Sequence, residues 1–339
     1  LPLAGHQISG VYMYTRSTKD VARHLIGSYP EDLPDANERF QTHSLHYSAR
    51  GLNFALLNGT HTFGGDGGKK LEWKAGATLT KQEEPNLREF TNDFSFEFDS
   101  VNTQTGDSLF DTTWYISSSL YTIPAHYWRR LNEDSYEGRI DFSTPLESWS
   151  ERKINLKAGG AIQYKSRAYD ERLYYVNRDA GYPLNEAGGD AAVFFADSNM
   201  GIDYERTMIS GDDTTFWRLA NFVQFVNDST INHTGDQWLW ALYGMGEFPV
   251  TENFSVVAGV RFESTRFNVR SWDRDDTLSR GELTNDDLMP SVNLKYELIE
   301  NMNLRGAFSR TIARPTFREK APYVTQDFVG GRSFKGNAK

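Results

Sequence analysis

The sequence has 339 residues, is 38% hydrophobic, carries a formal charge of -10 and contains no cysteine. The lack of cysteine excludes disulfides, thiolate metal sites and cysteine nucleophiles, and an acidic chain without a basic stripe argues against nucleic-acid binding. No stretch approaches the ~18 consecutive apolar residues of a membrane-spanning helix. The 8 Trp, 17 Tyr and 22 Phe suit either an aromatic-rich soluble β-protein or a transmembrane β-barrel, whose strands show lipid only every second residue.

Strand-like alternation of apolar and polar residues recurs from end to end. Period two with one apolar face is the pattern of a half-buried strand. A change of apolar phase near Gly51 predicts a bulge, and Trp238 and Trp240 compete with Leu239 and Tyr243 for the apolar face of their strand. Nine strands are predicted, over residues 8–16, 40–58, 71–79, 136–142, 156–164, 237–250, 254–262, 288–296 and 303–314.

The connections between these strands alternate strictly in length. Compact connections at 59–69, 145–152, 251–253 and 299–302 alternate with long polar ones at 17–39, 91–127, 177–236 and 271–287. Outer-membrane barrels have short turns on one side of the membrane and long loops on the other. The alternation therefore favours a barrel over a soluble sandwich.

Three short motifs indicate a family. The last predicted strand ends in RPTFRE at 314–319, where Pro315 cannot donate to a sheet ladder. This segment resembles one that is common in the barrels of TonB-dependent outer-membrane receptors. The sequences GVRFEST at 259–265 and PNLRE at 85–89 resemble two further strand segments of that family. Each motif is weak alone, but their order and spacing make the resemblance fairly specific.

The resemblance implies an all-β fold, a transmembrane antiparallel up-and-down β-barrel. Nine strands would form an open part of a 22-stranded wall, because a plugged transporter barrel needs 22. The family's plug domain and TonB-contacting segment are not recognisable in residues 1–339, and residues 1–6 lack the basic start of a signal peptide. We therefore expect the whole chain to be an internal part of the barrel domain, without plug or terminal strands.

The resemblance also implies a function and a location. A family member imports a scarce nutrient, such as a siderophore, glycan or peptide, across the bacterial outer membrane, with its long loops extracellular. The expected partners are the TonB complex through the plug, outer-membrane lipid, and a surface lipoprotein or another envelope subunit. No cofactor and no enzymatic activity are expected.

The charges on the strands are expected to point into the barrel. Each Lys or Arg on a lipid face would cost roughly 2–4 kcal/mol at the membrane midplane. Aromatic residues of the longest loop are predicted to line the substrate entrance, with packing inside that loop as the alternative; they are Phe194, Phe195, Phe216 and Trp217. The predicted lumen-facing residues are Arg139, Lys157, Arg261, Glu263, Lys295 and Arg305. The predicted lipid-facing residues are Leu156, Ala158, Ile162, Val256, Ala258, Val260, Val292 and Leu294.

The sequence gives little support for a catalytic or metal site. We find no catalytic motif and no metal signature. Carboxylates crowd residues 273–287, but their spacing does not fit an EF-hand, and a solvated acidic loop is the simpler interpretation. Two alternative functions stay open. One is a related barrel that acts as a structural or secretion subunit. The other is a soluble carbohydrate-active enzyme, which would need paired carboxylates in a cleft and no lipid-facing stripe.

Overall fold

The computed structural model describes residues 5–28, 37–64, 68–116, 123–147, 153–178, 188–209, 212–226, 232–272, 278–321, 324–326 and 333–335, with the backbone alone at 147, 203–219, 324–326 and 333–335. Almost all of this is antiparallel strand. Two single-turn helices, α1 (Ala191–Phe194) and α2 (Phe317–Lys320), are the exceptions, with one short 3-10 turn. None of the described helices is long and apolar enough to cross a membrane.

Eleven strands form one continuous sheet. Nine of them follow each other in space in chain order, namely β1 (His6–Gly27), β2 (Glu38–Phe63), β3 (Lys69–Val101), β5 (Ala125–Glu147), β6 (Lys153–Asn177), β10 (His233–Pro249), β11 (Phe254–Trp272), β12 (Leu278–Ile299) and β13 (Met302–Ser309). β4 (Ser108–Tyr115) adds to β3, and β9 (Phe222–Val226) adds to β6. Two hairpins stand apart, β7 (Ile202–Ile209) with β8 (Asp212–Leu219), and β14 (Val324–Gln326) with β15 (Ser333–Lys335). In the described residues β1 and β13 do not pair, so the wall is open.

The nine predicted strands are confirmed, but most of them are much longer than predicted. The described residues of the segments 17–39 and 271–287, expected to be loops, are almost all continuations of β1, β2, β11 and β12. Their polarity reflects water on both faces rather than the absence of pairing. Below we call the end of the sheet with these extensions the loop end, and the end with the short connections the turn end.

The strand register gives the sheet one apolar and one polar face. Directly paired residues lie on the same face, and rows such as Ala158, Gly244, Val260 and Pro290 cross four strands. The register places all eight predicted lipid-facing residues on one face and all six predicted lumen-facing charges on the other. It also assigns Trp238 and Trp240 to the apolar face. Further members of the apolar face are Ile8, Leu57, Trp73, Ile140, Phe142, Leu242, Leu288 and Phe308.

The apolar face runs obliquely across the strands. Tyr14 on β1 ends its apolar stretch, and the same cross-strand row reaches β12 at Glu282. The apolar stretch of β12 begins only at Leu288, six residues nearer the turn end. That is about 20 Å along the strand across seven strand spacings of about 4.8 Å. The strands therefore incline by roughly 30° to the normal of the apolar band, close to the tilt of barrel strands.

The predicted bulge near Gly51 is wrong, because Gly51 pairs regularly with Arg16 and Lys81. The irregularity lies in β3, where Pro85 and Asn86 oppose a single residue of β5. Asn86 has φ 58°, a left-handed conformation that Asn tolerates better than most residues. Proline lacks a ladder donor and is accommodated at such a bulge. The apolar phase of β3 changes there.

The last wall strand ends at Ser309 rather than at Arg314 as predicted. The next ladder position would pair Arg310 with Pro290. Arg310 N–H does donate to Pro290 O at 3.1 Å, but Pro290 has no N–H to return. A proline in the neighbouring strand thus removes half of the next bonded pair. The chain leaves the sheet five residues before the Arg-Pro motif.

Candidate functional site on the polar face

A group of charges, which we call the central network, crosses the polar face from β3 to β10. Asp141 accepts a hydrogen bond from Tyr243 Oη, and Arg139 Nε lies 2.8 Å from Asp141 Oδ2. Lys157 Nζ lies 3.8 Å from Asp141 Oδ2 and 3.7 Å from Glu72 Oε2. The network pairs opposite charges on one face, as expected for a wall whose polar side does not contact hydrocarbon.

Gly159 makes this network possible. It lies in the same row as Asp141 and Tyr243, on the strand between theirs. A Cβ on Gly159 would stand 2.5 Å from Asp141 Oδ1, 2.6 Å from Ile140 O and 2.7 Å from the Tyr243 ring. Asp141 and Tyr243 therefore meet above a residue without a side chain.

A second site forms where residues 310–321, which we call the re-entrant segment, fold back over the polar face. Arg314 pairs with Glu263, and its Nε donates to Thr265 Oγ1 at 2.8 Å. Arg261 Nε donates to the other oxygen of Glu263 at 2.5 Å. Glu263 and Thr265 are buried. Two guanidinium groups therefore hold one buried carboxylate, and through it the Arg-Pro motif is fixed to β11.

Helix α2 completes the contact of the re-entrant segment. Phe317 stacks on Phe267 with ring centroids 4.7 Å apart, and the guanidinium of Arg167 lies over the Phe317 ring at 5.2 Å from its centroid. A Cβ on Gly235 would stand 2.6 Å from the Phe317 ring, so the close approach depends on that glycine. The segment thus covers β11, β10 and β6 at the loop end of the polar face.

The re-entrant segment was missed by the sequence analysis, although its sequence holds a signal. Thr316 caps α2 and Glu319 bonds back to the Thr316 backbone, which is a capping box. The pattern Thr-x-x-Glu within RPTFRE predicts the start of a helix. The sequence held no such signal that Pro290 would end β13 early at Ser309, because that effect depends on which residues of β12 and β13 pair.

Two of the predicted entrance aromatics pack inside the fold. Phe194 is fully buried against Phe90 and Val176, and Phe195 contacts Phe90 with ring centroids 5.7 Å apart. Val176 lies on the same face of β6 as Ile162, which is the apolar face. The structure therefore places both residues in packing between α1 and the outside of the wall. Substrate contact by them stays a prediction.

The other two predicted entrance residues, Phe216 and Trp217, lie in β8, whose side chains are outside the described part of the structure. Their register opposes Phe216 to Glu205 and Trp217 to Tyr204 in β7. Three of the six carboxylates of the acidic cluster fall within residues 273–277, which are outside the described ranges, and the other three lie on β12.

At the loop end, burial changes the pKa of one carboxyl group. Asp93 on β3 is 4% exposed, and its Oδ1 has no hydrogen-bond partner in the described residues. Burial, and then the negative charge of Glu38, raise the pKa of Asp93 to about 6. A buried carboxylate without a cation favours its neutral form.

The polar face, the oblique apolar band and the Arg-Pro segment agree with one family. The family model described as "TonB dependent receptor-like, beta-barrel" matches residues 14–337. The chain belongs to the TonB-dependent receptor family. Its fold is accordingly part of an outer-membrane receptor barrel, and the family and fold are those of transport receptors rather than enzymes.

Solved receptors are similar to this barrel over most of its length. The siderophore receptor PiuA from Acinetobacter baumannii is 8% identical, with a TM-score of 0.35 over 90% of this chain and 48% of that chain. The ferric-catecholate import receptor Fiu from E. coli K12 is 10% identical, with a TM-score of 0.31 over 90% and 49%. The ferric yersiniabactin uptake receptor FyuA from Yersinia pestis is 9% identical, with a TM-score of 0.30 over 88% and 43%.

The chain spans about half the length of the solved receptors it matches. No curated protein matches it significantly. At these identities and TM-scores the assignment rests on the family match and on the residues described above.

Proposed function

We propose that this barrel belongs to an outer-membrane receptor that imports a scarce nutrient with energy from the inner-membrane TonB complex. The apolar face would contact lipid, and the polar face would line the lumen. A plug domain outside residues 1–339 would fill that lumen and contact TonB. The loop end would lie outside the cell and meet the substrate first.

One observation carries this proposal, the strict separation of charges from the apolar band. The central network and the Glu263 site lie on one face, while the opposite face exposes large apolar side chains. Ile8, Leu304 and Phe308 are 68%, 63% and 67% exposed. Water cannot stabilise such a face, whereas hydrocarbon can. A soluble carbohydrate-active enzyme would not need this band.

The re-entrant segment supports a transport role over a purely structural one. It places Arg314 and Phe317 over the polar face near the loop end, where a substrate would enter. A wall that only scaffolds other proteins would not need its chain to cross the passage. In a closed barrel whose polar face lines the lumen, the docked segment would narrow the passage near its entrance.

The test is uptake by the full-length receptor in its own host. Cells with and without the receptor gene would be given ferric siderophores, glycans and peptides, each labelled, with the TonB complex intact or depleted. We expect accumulation of one class to be lost without the receptor and equally lost without TonB. Normal accumulation of every class in receptor-deleted cells, or accumulation that persists without TonB, would overturn the proposal.

A further inference from the structure

The β3–β4 hairpin, residues 93–115, extends past the rest of the wall at the loop end. Pairing of β2 with β3 stops at Ser95, and Phe96 N–H donates to Asn37 O at 3.2 Å. Beyond residue 96 the described structure is a ribbon of two strands, β3 and β4. A two-stranded hairpin alone is at best marginally stable in water, and a third strand stabilises it.

The two faces of this ribbon differ in chemistry. Phe96, Phe98 and Phe110 share one face, where the Phe110 ring centroid lies 5.9 Å from that of Phe96 and 6.2 Å from that of Phe98. Phe98 is 60% exposed and Phe110 is 54% exposed. On the other face, Glu97 lies directly opposite Asp111. We call these the aromatic face and the acidic face of the hairpin.

The acidic face lacks a balancing positive charge among the described residues. Residues 93–115 hold five carboxylates and no Lys, Arg or His. Like charges directly opposite each other destabilise a sheet, and in the described part of the chain neither Glu97 nor Asp111 has an ion pair. Arg39 is near, but its guanidinium lies over the Phe96 ring, on the aromatic face. A cation brought by a partner would therefore stabilise the hairpin.

Strand β4 also has an unpaired edge. In the described residues β4 pairs with β3 alone, and the backbone of residues 108–113 makes no hydrogen bond outside that ladder. Natural edge strands are usually protected by Lys, Pro or a bulge. β4 has no Lys and no Pro, and the bulge of this hairpin lies in β3, between Phe98 and Ser100. The single charge of β4 is Asp111, which repels an acidic strand and attracts a basic one.

The hairpin lies far above the apolar band. The apolar stretch of β3 ends at Leu79. Phe98 is about 20 residues farther along, which is about 60 Å along the strand or roughly 45 Å along the membrane normal at barrel tilt. Acyl chains do not reach this height. The exposed rings of the aromatic face are therefore suited to a protein rather than to a lipid.

A second copy of this chain would be a poor partner for the hairpin. Pairing of one β4 with another would bring a second hairpin with five carboxylates and no cation of its own. Like charges would then face each other across the new ladder as well as across the old one, which costs stability. The charge of the hairpin thus favours a different chain that carries basic residues.

We propose that the free edge of β4 binds an extended segment of another protein, one in which basic and apolar side chains alternate. The segment adds a third strand to the hairpin through its backbone N–H and C=O groups. Its apolar side chains pack on Phe98 and Phe110, and its basic side chains lie beside Glu97 and Asp111, since successive side chains of a strand point to opposite faces. This rests on the proposed function only in that the loop end faces the outside of the cell.

The experiment measures the binding of synthetic peptides to the purified full-length receptor in detergent by fluorescence anisotropy. The main probe is a labelled peptide of about nine residues in which lysine alternates with valine or phenylalanine, long enough to span residues 108–113. A peptide with glutamate in place of every lysine is the charge control. We expect the lysine peptide to bind, and the glutamate peptide to bind at least about ten-fold more weakly.

Variants of the receptor locate the binding site. E97Q/D111N should weaken binding of the lysine peptide at least about five-fold, because it removes the charges that the lysines meet. The matched control is E282Q/D286N, which neutralises two exposed carboxylates of β12 at the same end of the sheet and should change binding less than about two-fold. Phe110→Ala should also weaken binding. Phe225→Ala, which removes a ring that is 53% exposed on β9, should not.

The wild-type receptor tests the backbone pairing, so that the result does not depend on how well a variant assembles. Two lysine peptides would be N-methylated, one on its odd and the other on its even residues. Alternate residues of a strand direct their N–H groups to opposite edges. One peptide therefore keeps the edge that meets β4 and should bind like the unmodified peptide, whereas the other loses that edge and should not bind.

The proposal is overturned by equal weakening in E97Q/D111N and E282Q/D286N, by full binding of both methylated peptides, or by a glutamate peptide that binds as tightly as the lysine peptide. Binding of a neutral oligosaccharide at the hairpin, with no binding of any peptide, would also overturn it. The peptide assay needs no transport. Failure of the proposed function would appear in the uptake assay alone, and failure of the hairpin site in the peptide assay alone.

Discussion

At the scale of single residues, glycine decides whether the central network can form. Asp141 and Tyr243 belong to strands that are not neighbours, and they meet because Gly159 between them has no side chain. One of the three atoms that would crowd a Cβ at Gly159 is the Ile140 carbonyl oxygen. This oxygen belongs to the backbone and cannot rotate away. The position therefore has no simple way to accept alanine.

We expect Gly159→Ala to destabilise the barrel by about 1–3 kcal/mol, the usual cost of overpacking. The matched control is Gly244→Ala, because a Cβ at Gly244 would meet nothing within 4 Å. Thermal unfolding of the purified full-length receptor, followed by its mobility shift on heating, measures the difference. Equal transition temperatures for the two variants would show that the contact at Gly159 is not tight.

The facing of neighbouring residues on β11 gives a second prediction. Val260 belongs to the apolar face and Arg261 to the polar face. Val260→Arg should strongly reduce the amount of assembled receptor, because an arginine in hydrocarbon costs roughly 2–4 kcal/mol near the midplane. Arg261→Lys keeps a charge on the polar face and should assemble close to normally. Quantifying both variants in outer-membrane fractions tests the facing, and the reverse order of effects would refute it.

The buried carboxyl of Asp93 predicts a pH dependence. Its folded pKa of about 6 is above the unfolded value, so the folded state binds the proton more tightly. The contribution of Asp93 to the free energy of unfolding is thus fully present at low pH and is lost as the pH rises through 6. Between low and high pH this contribution changes by on the order of 2–3 kcal/mol.

Asp93→Asn should therefore stabilise the β3–β4 hairpin above pH 6 and have little effect below pH 4. Hydrogen exchange of residues 90–115 in the two proteins measures this. Asp111→Asn, which changes an exposed carboxylate on the paired strand, should keep the wild-type pH dependence of exchange. A constant difference between wild type and Asp93→Asn from pH 4 to 8 would contradict the assignment.

At the scale of elements, period-two alternation was enough to predict all nine wall strands, because each keeps one apolar face. It could not predict features that depend on pairing. The bulge at Asn86 is recognised only when β5 is seen to offer one residue against two. Likewise Pro290 shortens β13, a strand in which it does not lie. The polar extensions had no apolar period to detect, although their backbones remain paired.

The re-entrant segment is the element with the most specific attachment. Arg314→Ala would leave Glu263, which is buried, with Arg261 as its remaining cation. Since a full break of a buried pair costs about 3–5 kcal/mol, we expect a smaller loss of roughly 1–3 kcal/mol. Hydrogen exchange should accelerate across residues 310–321 and not across β5.

The control for that variant is Arg310→Ala. Arg310 is exposed, and its described hydrogen bond comes from the backbone. Its loss should leave the exchange of the segment unchanged. If both variants loosened residues 310–321 equally, the pairing of Arg314 with Glu263 would not be what fixes the segment to β11.

At the scale of the whole molecule, the oblique apolar band indicates how the strands are tilted in the membrane. A band that crosses the strands at an angle is what tilted strands in a flat layer of hydrocarbon require. The sequence predicted the band's existence but not its slope, since slope depends on register. The packing of Phe194 could not be predicted from the sequence, because α1 holds it against Phe90 and Val176 through contacts distant in sequence.

The two ends of the wall should lie on opposite sides of the membrane, and the absence of cysteine makes this easy to test. Thr105 lies in the turn between β3 and β4 at the loop end, and Glu300 lies in the turn between β12 and β13. Both are exposed. An antiparallel wall that crosses the bilayer once per strand must separate them by the hydrocarbon core, about 30 Å thick.

We expect Thr105→Cys to react with a membrane-impermeant maleimide on intact cells, and Glu300→Cys to react only after the outer membrane is permeabilised. Labelling of both variants in permeabilised cells serves as the control for reactivity. Reaction of Glu300→Cys but not Thr105→Cys on intact cells would invert the orientation of the wall. Reaction of both on intact cells would show that the strands do not cross the membrane, which would contradict the assignment of the apolar band to lipid.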